Sequence, residues 1–178
     1  VLGLKPEEVN NLINLRKDKN GVCEIANDNA EGQIIISGEK DNIQSLQITF
    51  KENKIKTIPL KVSAPFHCSL MRPAAEKMEE KINNTNFNIP AFEIINNVTA
   101  KAEKDPVKIK KLLIEQIFST VRWRESILNI SQLGTKNFIE IGPGKALSGM
   151  VKRTIKNANC FSINSITDIK RLINEFKK

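Results

Sequence analysis

Three features of the sequence predict an α/β protein in two parts. Residues 1–62 alternate short apolar runs with helical spacing. From about Ala64 the helices lengthen while short apolar runs recur between them. Proline and glycine punctuate where elements should begin and end.

In order, Val1–Leu4 reads as a short strand. Pro6 opens a helix with Glu7 and Glu8 in its first turn, and Val9, Leu12, Ile13 and Arg16 follow helical spacing. Val22–Ala26 reads as a strand, Asn27–Gly32 as a polar turn, and Gln33–Ser37 as a β-branched strand closed by Gly38. Asp41 is placed to cap a helix whose apolar face is Ile43, Leu46 and Phe50. Ile58, Leu60 and Val62 alternate with Pro59 and Lys61 as a strand. The order βαββαβ is the ferredoxin-like pattern, so residues 1–62 are expected to form a ferredoxin-like subdomain.

Beyond a loop at residues 64–68, a helix is expected from Leu70 to Asn83, with Pro73 in its first turn. Phe92–Val98 reads as a strand. Asp105-Pro106 predicts a capped helix start, and Gln116 falls at that helix's edge. A helix carrying Trp123, Ile127 and Ile130 stops at Gly134. Phe138–Ile141 reads as a buried strand running into Gly142-Pro143-Gly144. A helix over 145–155, a strand Cys160–Ile163 and a helix lined by Ile166, Ile169, Ile173 and Phe176 complete the chain. So few strands predict an incomplete parallel sheet with exposed apolar surface. The sequence has no initiator methionine and opens inside an expected strand, which predicts a piece of something longer.

Apolar residues at 40% and charged residues at 27% exclude disorder, and no apolar run is long enough to span a bilayer. Three scattered cysteines exclude a disulfide framework and a cysteine-rich zinc site, and fit a reducing cytoplasm. The net charge of +8 favours an acidic partner or simply a solvated basic surface. Without tyrosine and with 5% aromatics, the composition argues against nucleic acid.

The single histidine, His67, lies just after an expected strand and just before a helix, where open α/β sheets place their sites. Position alone also suits a surface or capping residue. Cys68 beside it is a poor thiol partner, because neighbours on extended backbone point apart. Gly142-Pro143-Gly144 before a helix suits phosphate or, better, a tight turn without the Walker pattern. Lys145, Lys152 and Arg153 form either a docking patch for an acidic partner or an exposed basic face. Asp28, Glu31 and nearby acids lack metal-ligand spacing.

The run Val62-Ser63-Ala64-Pro65-Phe66-His67-Cys68-Ser69-Leu70-Met71-Arg72-Pro73-Ala74 closely resembles the histidine segment of bacterial malonyl-CoA:acyl-carrier-protein transacylases. Four further stretches resemble that family in order: Asn27–Gly38, Ile95-Asn96-Asn97-Val98, Gln116 to Trp123, and Ile141–Gly149. The resemblance implies an α/β-hydrolase-like large subdomain, with residues 63–178 its C-terminal part and the active site between it and residues 1–62. It implies malonyl transfer from malonyl-CoA to the phosphopantetheine thiol of acyl carrier protein, in fatty-acid synthesis. His67 matches the general base and acid, and Gln116 the residue whose main-chain carbonyl orients it. The chain itself needs no cofactor or metal; malonyl-CoA is substrate and phosphopantetheine rides on the partner.

The departures weigh as much. The family's serine sits in a Gly-x-Ser-x-Gly elbow, and no such motif occurs here; Ser37 and Ser148 lack that setting. The family's carboxylate-gripping arginine and its Gly-Gln-Gly segment are also absent. All three are expected in an N-terminal segment preceding Val1, which makes that segment a required partner and the isolated chain inactive. Thr120 stands where the family commonly has proline, which predicts a looser turn. The alternative is a non-catalytic remnant that binds carrier protein and transfers nothing.

Overall fold

The structure, a computed structural model, describes residues 1–15 and 20–177. Arg16, assigned above to the first helix, lies outside the described residues. The chain divides into two compact units, Val1–Ser126 and Ile127–Lys178. The division falls well beyond the expected boundary at 62/63, because residues on both sides of that boundary bond to one strand, as set out below.

In the first unit, helix α1 (Pro6–Asn14) starts as its proline predicts, and the Glu8 carboxylate accepts the Lys5 N–H at 2.7 Å. Strands β1 (Cys23–Ala30) and β2 (Gln33–Gly38) pair antiparallel. The expected polar turn at 27–32 is mostly strand: only Glu31 and Gly32 turn, with Gly32 at φ +67. Two register shifts let β1 run on through its polar residues, and Asn27 also bridges to Val121. Val1–Leu4 contributes a single bridge, Leu2 to Gln33, and the Leu2 N–H donates to the Lys56 carbonyl at 2.9 Å. The spatial order β1, β2, Leu2, Lys56 is that of a split βαβ unit.

The strand expected over 58–62 does not form. Pro59 has no N–H to give a ladder, and Ile58, Leu60 and Val62 stay exposed. Helix α2 (Lys40–Glu52) begins one residue before its expected cap: Glu39 is the N-cap, and Asp41 sits inside the first turn. Its apolar face is as expected. Leu46 and Phe50 are fully buried with Val9, Ile13, Cys23 and Ile34, and Ile43 packs at the edge of that core.

Next come a 3₁₀ turn (Ser69–Met71) and helix α3 (Arg72–Asn84). The strand expected over 92–98 shrinks to β3 (Ile94–Ile95), paired with β4 (Ala102–Glu103). Asn96 is the reason: its side-chain oxygen accepts the N–H groups of Val98 and Thr99, which folds the chain into a tight turn. Helix α4 (Pro106–Glu115) opens on Asp105, whose carboxylate accepts the Val107 N–H at 2.9 Å. Helix α5 (Trp123–Gln132) begins in this unit and continues into the second.

In the second unit, β5 (Asn137–Ile141) and β6 (Asn159–Ile163) pair in parallel, with helices α6 (Ala146–Thr154) and α7 (Ile166–Phe176). Two strands are a small sheet, and β5 is not the buried strand its sequence predicts: Ile139 is 46% and Ile141 81% exposed. Ile166, Ile169, Ile173 and Phe176 of α7 are exposed too. The expected exposed apolar surface is present.

Gly142-Pro143-Gly144 forms a turn with Gly142 at φ +138 and Gly144 at φ +90. The helix start that follows it already holds an anion. The Glu140 carboxylate accepts the N–H groups of Leu147 (3.1 Å) and Ser148 (2.8 Å), the donors a phosphate would need. Bonds from the Ser148 side chain, then from the Ser148 and Leu147 backbone, hold the Glu140 carboxyl below its ordinary value. A lowered native value contributes stability above the ordinary value that is lost as pH falls through the lowered one. Glu140→Gln should therefore be less stable than the parent near neutrality and converge with it in acid. Thermal melts of both proteins across pH check this.

Candidate active site

The loop before α3 folds back on itself. The Phe66 N–H donates to the Ala64 carbonyl at 3.0 Å, and the Cys68 thiol donates to the Pro65 carbonyl at 3.1 Å. Between them His67 takes φ +58, the left-handed region that non-glycine residues enter only under constraint. Cys68 is fully buried while His67 is half-buried, and His67 is not on the extended backbone that the sequence reading assumed. The Cys68 thiol is engaged by the Pro65 carbonyl.

His67 Nδ1 lies 2.9 Å from the main-chain oxygen of Gln116. A carbonyl oxygen only accepts, so Nδ1 carries the proton when the imidazole is neutral. Nε2 is left with its lone pair, free to take a proton from a substrate group. Gln116 can present that oxygen because it is the C-cap of α4: its N–H still closes the helix onto Leu112, while its carbonyl has no following turn to bond.

Four hydrogen bonds hold the segment that carries this carbonyl. The Gln116 side-chain oxygen accepts from Asn97 Nδ2 at 3.3 Å. The Asn97 carbonyl in turn accepts the Arg122 N–H at 3.0 Å. Four residues past Gln116, Thr120 Oγ1 donates to the Ile25 carbonyl of β1 at 2.6 Å, and the Val121 N–H donates to Ala26 at 2.8 Å. Thr120 therefore ties its turn to β1, where the sequence predicts a looser turn. Asp28, farther along β1, accepts the Val121 chain's neighbour Arg124 in a two-oxygen ion pair at 2.9 and 3.0 Å. That occupies Asp28 as a structural partner. Among the described residues no group of three His, Cys, Asp or Glu side chains could hold a metal ion.

The Arg72 guanidinium, at the start of α3, stacks 4.2 Å over the Phe118 ring. The Ser69 N–H donates to Glu24 Oε2 at 3.0 Å, and the Ser69 hydroxyl donates to Glu24 Oε1. His67 and Gln116, singled out from sequence, are thus brought together. Asn97, bonded to Gln116, and Glu24, bonded to Ser69, are not legible as site residues, although Asn97 stands in the Ile95–Val98 motif. Lys145, Lys152 and Arg153 are exposed on or next to α6 in the second unit.

The profile of the acyl transferase domain matches residues 6–177. This chain belongs to the acyl transferase domain family. Among curated relatives, the malonyl CoA-acyl carrier protein transacylase of Bacillus subtilis is 36% identical over 179 residues, covering 100% of this chain and 56% of its own. Among solved structures, an acyl carrier protein S-malonyltransferase from Vibrio cholerae superposes with a TM-score of 0.91 at 37% identity, over 96% of this chain and 56% of that one. A malonyl-transacylase in complex with its type II PKS acyl-carrier protein superposes with a TM-score of 0.92 at 30% identity, over 98% and 57%. The chain spans about half the length of the curated relatives it matches. No described helix is long and apolar enough to cross a membrane.

Proposed function

We propose that this chain supplies the histidine half of a malonyl transferase that moves malonyl groups from malonyl-CoA to the phosphopantetheine thiol of acyl carrier protein. The observation that carries the reading is the 2.9 Å approach of Gln116 O to His67 Nδ1, which makes Nε2 the proton acceptor. The names of the relatives supply the substrates: transacylases acting between malonyl-CoA and carrier protein. The complex of a similar enzyme with its carrier supports that partner. The chain is read as the C-terminal portion, and the nucleophilic serine as lying in a segment outside these 178 residues, which contain no Gly-x-Ser-x-Gly. Free cysteines fit a cytoplasmic setting.

The serine hydroxyl gives its proton to Nε2 as its oxygen attacks the malonyl thioester carbonyl. The C–S bond breaks, and the departing CoA sulfur takes the proton from Nε2. The carrier thiol then gives its proton to Nε2 and attacks the malonyl-serine ester. The ester C–O bond breaks, and the serine oxygen recovers the proton.

The test pairs this chain with a family segment carrying the serine elbow and follows malonyl-carrier formation. Transfer is expected from the pair and not from either piece alone. A malonyl ester formed by this chain alone would overturn the division of labour. Within that assay Gln116→Ala should cost less than about tenfold, because it keeps the main-chain carbonyl and loses one neutral bond of roughly 1 kcal/mol. A loss as large as that of a histidine variant would show that the side chain, not the carbonyl, orients the ring.

A further inference from the structure

We infer that Glu24 is a positioning residue for His67, acting through Ser69. The inference rests on the reading of His67 as the proton acceptor and extends it to a strand far away in sequence. One carboxylate of β1 takes both donors of Ser69, the N–H at 3.0 Å and the hydroxyl, two residues past His67. The next two residues of the same strand take the bonds of the other partner's segment: Ile25 from Thr120 Oγ1 at 2.6 Å and Ala26 from the Val121 N–H at 2.8 Å. Three successive residues of β1 thus set the spacing between the imidazole and the carbonyl that accepts its Nδ1–H. His67 also sits at φ +58, a conformation that persists only where its surroundings over-determine it. The local bonds of the loop, Phe66 to Ala64 and Cys68 to Pro65, do not reach outside it. Glu24 is the group that anchors the loop's exit to the sheet.

A carboxylate bonded at the start of a helical segment also stabilises that segment whatever His67 does. The two roles separate by what is read. A capping role moves the melting temperature; a positioning role moves the protonation pattern of the ring.

Because His67 is the only histidine, a long-range proton–nitrogen spectrum of the labelled full chain shows one pair of ring nitrogens. The parent protein, with its imidazole neutral, is expected to show Nδ1 protonated and Nε2 bare. Glu24→Ala, with a backbone amide spectrum that still reports the fold, should lose this single form and move toward a mixture. Glu24→Gln keeps an oxygen for Ser69 and should retain more of the parent pattern. An unchanged ring pattern in folded Glu24→Ala overturns the inference. Should Glu24→Ala fail to fold, Ser69→Ala carries the test: a shift toward the mixture supports the inference and an unchanged ring overturns it. A parent protein that lacks the Nδ1–H form overturns the His67–Gln116 reading itself, a different failure from that of Glu24.

Discussion

His67→Ala should reduce malonyl transfer by about 100- to 10,000-fold in the paired assay, the range over which a positioned general base contributes. The loss should appear in the rate of the chemical steps, since the proposed mechanism routes four proton transfers through the imidazole while its ring does little for binding. The fold should survive. His67 is half-buried, and among the described residues its ring bonds to the Gln116 carbonyl, which can turn to water when the ring is gone. Asparagine is a sharper test than alanine. His67→Asn can still donate one hydrogen bond and tolerates the left-handed backbone, but it cannot accept a proton at neutral pH. Transfer by His67→Asn at close to the parent rate would refute the role assigned to the ring.

Phe50→Ala should cost about 3–5 kcal/mol, the largest stability effect expected from a single change in the first unit. Phe50 is fully buried at the end of α2, packed in the cluster that includes Val9, Leu46 and Ile34. Removing its ring leaves a cavity among residues from two helices and both strands, which cannot all collapse into it. The change lies outside the His67–Gln116 contacts, so activity per folded molecule should hold while the denaturation midpoint falls. Chemical denaturation with a parallel transfer assay separates the two effects. A cost under about 1 kcal/mol would mean that the α2 face is loosely packed.

Elements announced by a local chemical signal were legible in the sequence. Pro6, Asp105-Pro106 and Gly134 mark helix ends where the structure has them. Leu46 and Phe50 follow a helical spacing that only burial explains. His67 and Gln116 were readable because each sits in a run of residues with family likeness, while spacing alone left His67 ambiguous. What escaped was set at a distance. β1 continues through Asn27-Asp28-Asn29 because Val121 and Arg124 supply partners for that polar stretch. Ile58, Leu60 and Val62 have the alternation of a strand but gain no ladder. Ile141 reads as core yet is exposed, since apolar sequence states a preference for burial and not the presence of a partner. Glu24 carries no local mark, for its partner Ser69 lies 45 residues away.

Those separations govern when the site can come into being. Ser69 meets Glu24 across 45 residues, His67 meets Gln116 across 49, and Thr120 meets Ile25 across 95. Loop closure makes the longer span only modestly dearer at equilibrium, since each doubling costs about 0.6 kcal/mol. Order in time is another matter, because contacts of long range form slowly and form last. A chain emerging from the ribosome can build the α1–β1–β2–α2 core and bind Ser69 to Glu24 while its histidine still has no acceptor. Only when synthesis has passed Val121 can β1 grip the second segment and bring Gln116 to the ring. The His67–Gln116 contact is therefore assembled after the core that supports it, and a nascent chain stopped at about Gln116 would hold a folded platform with an unoriented histidine.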